Sequence, residues 1–359
     1  MKNRKNFAVG VVIVFLSFAI FETVRSQSGG TFTITRSVTG SGGNSTGGSF
    51  SLGGTIGEPL AGSSSTGGAF SLSSGFWGGA SASRRTNFDF DGDGRADVSV
   101  FRPSSNTWFL NRSLSGFAAY QFGSTGDLLA PADFTGDGKA DIAVFRPSSG
   151  AWFVLRSEDG SFYGSAFGTS GDIPAPADYD GDGRADLAVY RPSVGTWFLL
   201  RSTAGFSAIQ FGISEDKPVV GDFDGDGKAD IAVYRPSSGN WFRLNSSNGA
   251  FVAVHFGAAG DKLVPADYTG DGRADIAVWR PSNGTWYILK SEDGSFFGSQ
   301  FGTAGDLPSA ADYDGDGKAD LAVFRPAAGT WFIDQTQSGF TAVQFGTSED
   351  RPAPNAFVY

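Results

Sequence analysis

The feature that most constrains this chain is an aspartate-rich loop of nine residues that recurs six times, every 44 or 45 residues. In the fourth copy, acidic side chains occupy positions one, three, five and nine: Asp222, Asp224, Asp226 and Asp230. Carboxylates this close together repel one another unless a cation lies among them. Calcium accepts about six to eight oxygen ligands in tolerant geometry, and glycines such as Gly225 and Gly227 allow the tight turns that this requires. The spacing therefore predicts a calcium site, to which the carbonyl of Lys228 adds one more oxygen.

The residues between successive loops predict four short strands in each repeat. In the fourth copy these are residues 219–223, 229–234, 240–244 and 250–256, which are separated by turns rich in glycine, serine and proline. The composition agrees, since 53 glycines and 34 phenylalanines accompany a single methionine and a single histidine. Such a mixture favours strands and turns. Each repeat is therefore expected to form one antiparallel meander.

The second predicted strand of a repeat is apolar on both faces. In the third copy, Leu187 and Val189 point to one side of the strand, whereas Ala188 and Tyr190 point to the other. A sheet that is apolar on both faces must be covered on both sides. Identical sheets stacked face to face around an axis achieve this. The sequence therefore predicts an all-β chain that forms a β-propeller of six tandem four-stranded blades.

The loop, together with a Phe-Gly pair after the fourth predicted strand, resembles the FG-GAP/VCBS repeats of integrin-α-like propellers, here of a secreted bacterial type. The pairs begin at Phe122, Phe167, Phe211, Phe256, Phe301 and Phe345. The resemblance covers residues 87–357 and implies that each loop joins the first two strands of a blade and binds calcium. The Gly-Ala-Pro signature of those repeats is reduced to Ala-Pro here, as at Ala130 and Ala175, so the chain does not resemble any integrin closely.

Carried over residue by residue, the family pattern implies about six calcium sites in two classes. Four loops offer four aspartates and one backbone carbonyl: Asp89, Asp91, Asp93, Arg95 and Asp97; Asp178, Asp180, Asp182, Arg184 and Asp186; Asp222, Asp224, Asp226, Lys228 and Asp230; Asp312, Asp314, Asp316, Lys318 and Asp320. Two loops have a neutral threonine at position three and are expected to bind more weakly: Asp133, Thr135, Asp137, Lys139 and Asp141; Asp267, Thr269, Asp271, Arg273 and Asp275. The alternative is that the aspartates form metal-free turns. An EF-hand does not fit, because its twelfth position requires glutamate and is Val100 or Val233 here.

How the ring closes is left open by the repeat. A seventh copy of the first strand, at residues 351–357, has no loop after it. We hypothesise that this strand joins three patches of alternating apolar residues, 31–36, 49–56 and 69–77, in a seventh blade. The alternative is a six-bladed ring over residues 84–359, with the Gly/Ser-rich β-segment of residues 27–83 as a separate appendage.

The first 26 residues are typical of a secretory signal peptide. Lys2, Arg4 and Lys5 precede an apolar run at residues 7–21, and Ser26 offers a small residue for cleavage. The run is shorter than the roughly 20 residues that a membrane span needs, and an uncleaved anchor is the alternative. Either way, the remainder of the chain is expected outside the cell or on its surface.

Two large side chains recur once per repeat. The tryptophans are expected to pack the blades, with sugar pockets between blades as the alternative: Trp108, Trp152, Trp197, Trp241, Trp286 and Trp331. The arginines are expected to pair with carboxylates or carbonyls of a neighbouring blade: Arg102, Arg146, Arg191, Arg235, Arg280 and Arg325.

The composition offers little for catalysis or for nucleic-acid binding. His255 is the only histidine, and it replaces a glutamine of other repeats. No Ser-His-Asp set can therefore be built around another histidine. Cysteine is absent, which excludes a thiol nucleophile. The formal charge of −10 comes without a basic stripe, and six divalent cations would neutralise most of it. We therefore expect no enzyme and no nucleic-acid partner.

Taken together, these features predict a secreted calcium-binding β-propeller that acts as an extracellular binding or adhesion module, with calcium in a structural role. The expected partner is an extracellular protein or a glycan. A monomer without a membrane span after signal cleavage is expected. A carbohydrate-binding lectin and an accessory part of a polysaccharide-degrading enzyme are the alternatives, because a fold alone does not choose among them.

Overall fold

The structure is a computed structural model that describes residues 86–359 and four earlier strands: β1 (Gly43–Gly47), β2 (Phe50–Gly54), β3 (Ser64–Gly67) and β4 (Phe70–Ser73). The chain divides into two compact units, Met1–Ala80 and Ser81–Tyr359. In the first unit, β1 pairs with β2 and β3 pairs with β4, both antiparallel. Two predicted patches, 49–56 and 69–77, thus contain strands, whereas the patch at 31–36 and the predicted signal peptide lie outside the described residues.

The second unit is a six-bladed β-propeller in which each blade is a four-stranded antiparallel sheet. The innermost strands are β8 (Leu128–Leu129), β12 (Ile173–Pro174), β16 (Lys217–Val219), β20 (Lys262–Leu263), β24 (Leu307–Pro308) and β28 (Arg351–Pro352). The second strands are β5 (Val98–Arg102), β9 (Ile142–Arg146), β13 (Leu187–Arg191), β17 (Ile231–Arg235), β21 (Ile276–Arg280) and β25 (Leu321–Arg325). The third strands are β6 (Thr107–Arg112), β10 (Ala151–Leu155), β14 (Thr196–Arg201), β18 (Asn240–Leu244), β22 (Thr285–Leu289) and β26 (Thr330–Gln335). The outermost strands are β7 (Gly116–Gln121), β11 (Phe162–Ala166), β15 (Gly205–Gln210), β19 (Phe251–His255), β23 (Phe296–Gln300) and β27 (Gly339–Gln344).

Helix is confined to three short 3-10 segments in the described residues: Pro192–Val194, Pro326–Ala328 and Ala353–Asn355. Proline opens the first two, because its fixed φ suits a first turn. No helix in the described part of the chain has the length and apolar character needed to cross a membrane.

Ring closure differs from the seven-blade hypothesis, which is wrong. The strand near the C-terminus, β28, pairs with β5 of the first repeat, with Arg351 opposite Phe101 and Pro352 opposite Val100. The first repeat supplies a loop and three strands but no innermost strand of its own. The unmatched seventh copy of the first strand therefore completes the first blade, and the ring has six blades.

The strand prediction for the fourth repeat is confirmed for the outer three strands and shifted for the innermost one. β16 ends at Val219, which lies opposite Ala232, whereas residues 219–223 were predicted as the strand. Beyond Val219, the carbonyl of Gly221 still accepts a hydrogen bond from the Asp230 amide at 2.9 Å. The ladder stops there because the backbone turns into the aspartate loop.

The recurrent tryptophans pack the blades, as predicted. All six are buried, with exposed fractions of 0–4%, so they do not line open sugar pockets. Five of the indole rings lie against an aromatic ring of the second strand, as for Phe101 and Trp108, whose centroids are 5.5 Å apart, and the sixth, Trp286, lies 6.4 Å from the Tyr268 ring. Five of the six also donate the indole N–H to the carbonyl of the Phe-Gly phenylalanine, as Trp152 does to Phe167 at 2.8 Å.

The recurrent arginines pair within their own blade, so the predicted pairing with a neighbouring blade is wrong. Each guanidinium forms two hydrogen bonds with a buried aspartate that immediately precedes the innermost strand, as Arg191 does with Asp172 at 2.7 and 2.9 Å. Each also lies over an aromatic ring of the third strand, as Arg191 does over Phe198 at 4.3 Å. The aspartates are Asp127, Asp172, Asp216, Asp261, Asp306 and Asp350. Each aspartate directly precedes the innermost strand, and each arginine ends the second strand of the same sheet. One such pair therefore fixes the first two strands of each blade.

The innermost strands surround a central cavity of about 570 Å³. Phe357 and Val358 form part of its wall. The Tyr359 hydroxyl donates a hydrogen bond to the carbonyl of Pro174 at 3.4 Å, and burial raises the pKa of this phenol. Residues that follow β28 therefore contact blades other than the one that β28 completes.

Candidate metal centres

Each aspartate loop leads into the second strand of its blade, at one end of the propeller. In five blades it connects the innermost strand with the second strand, as the resemblance implies. The first loop precedes β5, whose innermost partner comes from the far end of the chain. The loops share one backbone design, so the first loop is described in detail.

The aspartate at position one organises the backbone of the loop. In the first loop, the two carboxylate oxygens of Asp89 accept hydrogen bonds from the amides of Gly92 at 2.6 Å and Gly94 at 2.8 Å. Both glycines have positive φ, 82° and 86°, a conformation in which a side chain is disfavoured. The same pair of hydrogen bonds recurs in the other five loops. The glycines at positions four and six are therefore needed both for the turn and for holding the first carboxylate.

The aspartate at position nine is buried and joins the loop to the turn between the third and fourth strands. The Asp97 carboxylate accepts hydrogen bonds from the Phe90 amide at 2.8 Å and from the Ser113 amide at 2.7 Å. Burial raises the pKa of Asp97 to about 7, although these hydrogen bonds act in the opposite direction. Burial likewise raises the pKa of Asp186 to about 6 and of Asp320 to about 7. A carboxylate that is costly to ionise when alone is one that a cation would stabilise in its charged form.

The aspartate at position three leaves one oxygen without a partner. In the first loop, Oδ2 of Asp91 accepts hydrogen bonds from the amides of Leu114 and Ser115 at 3.0 and 2.6 Å. Its Oδ1 is buried and has no hydrogen-bond partner, as are the equivalent atoms of Asp180 and Asp314. A buried acceptor without a partner is costly. Each of these three aspartates also belongs to a cluster of three carboxylates in its loop, so the residues present fit a cation.

Four carboxylate clusters have ligand atoms that all lie within 4.8 Å of one another: Asp89, Asp91 and Asp97; Asp178, Asp180 and Asp186; Asp222, Asp224 and Asp230; Asp312, Asp314 and Asp316. These are the four loops with a full set of aspartates. Positions one and three contribute to every cluster, and position five contributes only in the sixth loop. The aspartate at position five accepts a hydrogen bond from a hydroxyl in both the first loop and the sixth, Asp93 from Ser113 at 2.8 Å and Asp316 from Thr336 at 2.7 Å.

The two threonine-containing loops form no such cluster among the described residues. The hydroxyl of Thr135 lies 3.5 Å from Oδ1 of Asp133, and that of Thr269 lies 3.4 Å from Oδ1 of Asp267. In the other loops an aspartate at this position repels the first aspartate. The threonine hydroxyl donates a hydrogen bond to the first aspartate, so the interaction between positions one and three is attractive. The division into two classes of loop therefore has a structural counterpart. The position-seven carbonyl ligands stay a prediction.

The side chains at position seven have a role that the sequence analysis missed. Each cationic side chain crosses the loop of the preceding blade and lies against its position-four glycine. A Cβ atom on Gly136 would lie 2.9 Å from Cγ of Arg184, and one on Gly225 would lie 2.9 Å from Nε of Arg273. Their equal spacing along the repeat, six residues after each first aspartate, was the available signal, but only the ring places them on a neighbouring blade.

A ring of backbone hydrogen bonds also joins the loops. The amide of the alanine at position eight donates to the carbonyl of the first aspartate in the preceding blade, as Ala140 does to Asp89 at 2.5 Å. The contact from Ala96 to Asp312, at 2.6 Å, connects the first blade with the sixth. This hydrogen bond is present at all six blade boundaries, so each loop is tied to the loop of the next blade.

The fourth loop has a half-buried cation beside it. Arg243 occupies a position that is Leu110, Val154 or Leu199 in the first three blades. Its guanidinium donates to Oδ1 of Asn245 at 2.9 Å and lies 5.5 Å from the centre of the Phe223 ring. Burial lowers its pKa, and the charges of Asp230 and Asp224 oppose that shift. The fourth loop therefore has a positive charge near its carboxylates.

The only histidine, His255, lies at the exposed end of the outermost strand β19. In the sequence, it lies well after the aspartate loop of its own blade, which begins at Asp222. No group of three His, Cys, Asp or Glu side chains outside the four loops meets the same distance criterion in the described residues.

Comparison with whole proteins finds only weak similarities. No curated protein is significantly similar to this chain. Similar solved structures include a lectin of Agrocybe aegerita that recognises non-reducing terminal N-acetylglucosamine, with 16% identity, a TM-score of 0.47, and coverage of 74% of this chain and 92% of the lectin. Virginiamycin B lyase of Staphylococcus aureus has 6% identity, a TM-score of 0.46, and coverage of 74% and 89%. Similarities this weak carry no argument about function.

Family models give a firmer result. The FG-GAP-like repeat matches residues 89–144, 133–189, 222–278 and 267–323. The FG-GAP repeat matches residues 304–343. The matches begin at the first aspartate of four of the loops and together span more than half of the chain. The chain therefore belongs to the FG-GAP repeat family.

Proposed function

We propose that this chain is a calcium-stabilised β-propeller that acts outside the cell as a binding or adhesion module and has no catalytic activity of its own. The observation that carries the calcium part is the set of buried, unpartnered carboxylate oxygens of Asp91, Asp180 and Asp314. Each belongs to a cluster of three carboxylates. Oxygen-only ligands of this kind suit calcium, which when bound would neutralise the carboxylates.

The protein's own contacts explain why such sites would be structural. Asp89 holds the loop backbone, while Asp91 and Asp97 accept hydrogen bonds from the turn after the third strand. The loop backbone in turn accepts a hydrogen bond from the next blade. Repulsion among the carboxylates would loosen all three connections at once. A bound cation removes that repulsion, and metal that binds only the native state stabilises it by mass action.

The extracellular part of the proposal is supported by the sequence. Residues 1–26 have the features of a secretory signal peptide, and free calcium is abundant outside cells. A binding role is supported by the exposed phenylalanine that each outermost strand presents, with exposed fractions of 60–69%. One such ring on every outermost strand offers a partner a repeated set of apolar contacts. A carbohydrate ligand is the second candidate, and it is favoured by the aromatic groove that Tyr120 and Phe162 line between the first two blades.

The calcium proposal is tested by calorimetric titration of the metal-free protein, followed by thermal melts with calcium and with excess EDTA. We expect about six sites in two affinity classes and a large rise in melting temperature with calcium. Magnesium at the same concentration is the control, because it demands near-octahedral geometry and dehydrates reluctantly. The absence of calcium binding, or a melting temperature that EDTA leaves unchanged, would remove the calcium proposal.

The extracellular proposal has separate tests. Fusing residues 1–26 to a reporter enzyme that is active only after export should yield exported activity, and a reporter that stays inside the cell would contradict secretion. Adhesion is tested by binding of the purified protein to cell surfaces and matrix polymers in calcium and in EDTA. Binding that depends on calcium supports the module.

A further inference from the structure

The boundary between the first and second blades differs from the other five. At those five boundaries, the exposed phenylalanine of the outermost strand contacts the Phe-Gly phenylalanine of the preceding blade, with ring centroids 6.2–6.4 Å apart: Phe206 with Phe167, Phe251 with Phe211, Phe296 with Phe256, Phe340 with Phe301, and Phe117 with Phe345. At the remaining boundary the two residues are Phe122 and Phe162. In the part of the chain that the structure describes, Phe162 contacts no other aromatic ring, and it is 69% exposed.

A groove of about 560 Å³ opens where this ring contact is missing. Tyr120, Gln121 and Phe122 form its wall on the first blade, and Leu155 and Phe162 form its wall on the second. Tyr120 is unlike the residues at the same position in the other blades, which are serine, isoleucine or valine. Its side chain is 38% exposed. The groove is therefore a local departure from the repeat in which both the packing and the sequence differ.

The groove combines aromatic surface with neutral hydrogen-bonding groups. No charged side chain is among the residues that line it. The hydroxyl of Tyr120 has no hydrogen-bond partner among the described residues. The side chain of Gln121 points to the face of β7 opposite to Tyr120, because successive side chains of a strand alternate, and its Nε2 contacts the carbonyl of Ser105 at 3.4 Å. The Tyr120 hydroxyl is therefore the side-chain polar group that is free to bind a ligand.

The chemistry of the lining selects between ligand classes. A purely apolar ligand would cover the Tyr120 hydroxyl without replacing its water, and an unsatisfied buried polar group costs about 1–3 kcal/mol. A pyranose ring presents an apolar C–H face, which stacks on an aromatic ring, and hydroxyl groups around its edge, which pair with such groups. An anionic ligand would meet no cation in the lining.

We propose that this groove binds a neutral pyranose residue of a glycan. The ring of Phe162 supplies the stacking surface, and the Tyr120 hydroxyl donates and accepts hydrogen bonds with the sugar hydroxyls. This inference rests on the proposed function as an extracellular binding module, and it uses none of the buried tryptophans.

The test is saturation-transfer NMR on the calcium-loaded full chain with the methyl glycosides of glucose, galactose, mannose and N-acetylglucosamine. We expect saturation transfer to at least one glycoside. Phe162→Ala should weaken its binding at least tenfold, and Tyr120→Phe, which removes only the hydroxyl, should weaken it severalfold. Phe206→Ala is the matched control, because Phe206 occupies the same position at a closed boundary and should leave binding unchanged. Phe162 and Phe206 are both exposed, so these variants are expected to fold, and their melting temperatures check this.

Three results would overturn the proposal: no transfer to any glycoside, equal loss of binding in Phe206→Ala, or unchanged binding in both groove variants. If an apolar dye such as anilinonaphthalene sulfonate binds and is lost in Phe162→Ala while no glycoside binds, the groove belongs to an apolar partner and the sugar proposal is wrong. Calcium titration of the same variants keeps the two proposals separate. Intact calcium sites without sugar binding would refute the groove alone.

Discussion

Arg102 and Asp350 lie 248 residues apart in the chain and form a double hydrogen bond, with Nε to Oδ1 at 2.8 Å and Nη2 to Oδ2 at 2.9 Å. Arg102 ends β5, and Asp350 precedes β28, so the pair fixes the strand that completes the first blade. The guanidinium also lies 4.5 Å from the centre of the Phe109 ring. The five equivalent pairs join residues only 19 positions apart. Of the six, this pair alone holds the two ends of the ring together.

Replacing Arg102 by methionine should loosen the ring where it closes. Asp350 is buried, so loss of its partner leaves a charge without compensation, which costs about 3–5 kcal/mol for a fully buried pair. Because the Arg102 side chain is 26% exposed, solvent screening reduces the expected cost to about 1–3 kcal/mol. Hydrogen exchange measured by mass spectrometry should become faster in the peptide that contains β28. Arg235→Met, which breaks the pair with Asp216, is the control and should speed exchange around β16 while leaving β28 protected. Equal exchange of β28 in both variants would contradict a special role in closure.

Much of this fold follows from local sequence. The loop and the strand pattern repeat within 45 residues, and each blade forms from neighbouring segments, so spacing alone indicates a propeller. Closure depends on a pairing between β28 and β5. The repeat predicts β28 as a strand, but it does not predict which strand β28 pairs with. The available signal is that the first repeat begins at its loop and lacks an innermost strand. Counting the missing strand against the extra one gives six blades.

The loops were also predictable, but their surroundings were not. Asp91 and Asp97 stand at fixed positions in a short motif, whereas their hydrogen bonds to residues 113–115 depend on a turn one strand away. The partner of each recurrent arginine had a signal, an aspartate 19 residues earlier in five blades, that the sequence analysis did not use. The groove at Phe162 had only one sequence signal, Tyr120 in place of serine, isoleucine or valine, because the missing ring contact depends on how two blades meet.

Metal-free protein should lose stability as the pH rises from 5 to 8. Burial raises the pKa of Asp97 and Asp320 to about 7 and that of Asp186 to about 6, above the value of about 3.9 for an unfolded aspartate. A raised pKa in the folded state means that the stabilisation is complete below about pH 4 and is lost as the pH rises through 6 to 7. Melts of protein stripped on a chelating resin, recorded at four pH values, measure this. With saturating calcium the trend should reverse, because calcium displaces the protons. A metal-free melting temperature that increases over this range would contradict the expectation.

Arg243 should make the fourth loop the weakest of the four full loops. Its half-buried guanidinium lies near Asp224 and Asp230 and would repel a divalent cation. Oδ1 of Asp224 already accepts a long hydrogen bond from the Asp226 amide at 3.3 Å. Arg243→Leu restores the side chain type of the other blades and should raise calcium affinity in this loop by roughly threefold to tenfold, which corresponds to about 1 kcal/mol. The readout is hydrogen-exchange protection of the peptide containing residues 222–230 during a calcium titration. The reciprocal variant Leu199→Arg should lower the affinity of the third loop. Unchanged titration midpoints in both variants would show that the charge is not felt at the site.

Thr135→Asp should turn a weak loop into a strong one. Thr135 occupies the position of Asp91 and Asp180, and its hydroxyl lies 3.5 Å from Oδ1 of Asp133. A third carboxylate adds a charged ligand, and because ligand charge tunes calcium affinity, a gain on the order of tenfold is expected, about 1.4 kcal/mol. Without metal, the same carboxylate adds repulsion. The variant should therefore melt lower than the parent protein in EDTA and gain more from calcium, and calorimetry should show one additional ion in the tighter class. Thr135→Asn is the control, since it offers an oxygen ligand without the charge and should change both melts little. A variant that melts lower in EDTA but gains no tight calcium would show that the second loop cannot arrange its ligands around a metal, and that the threonine is required for the turn itself.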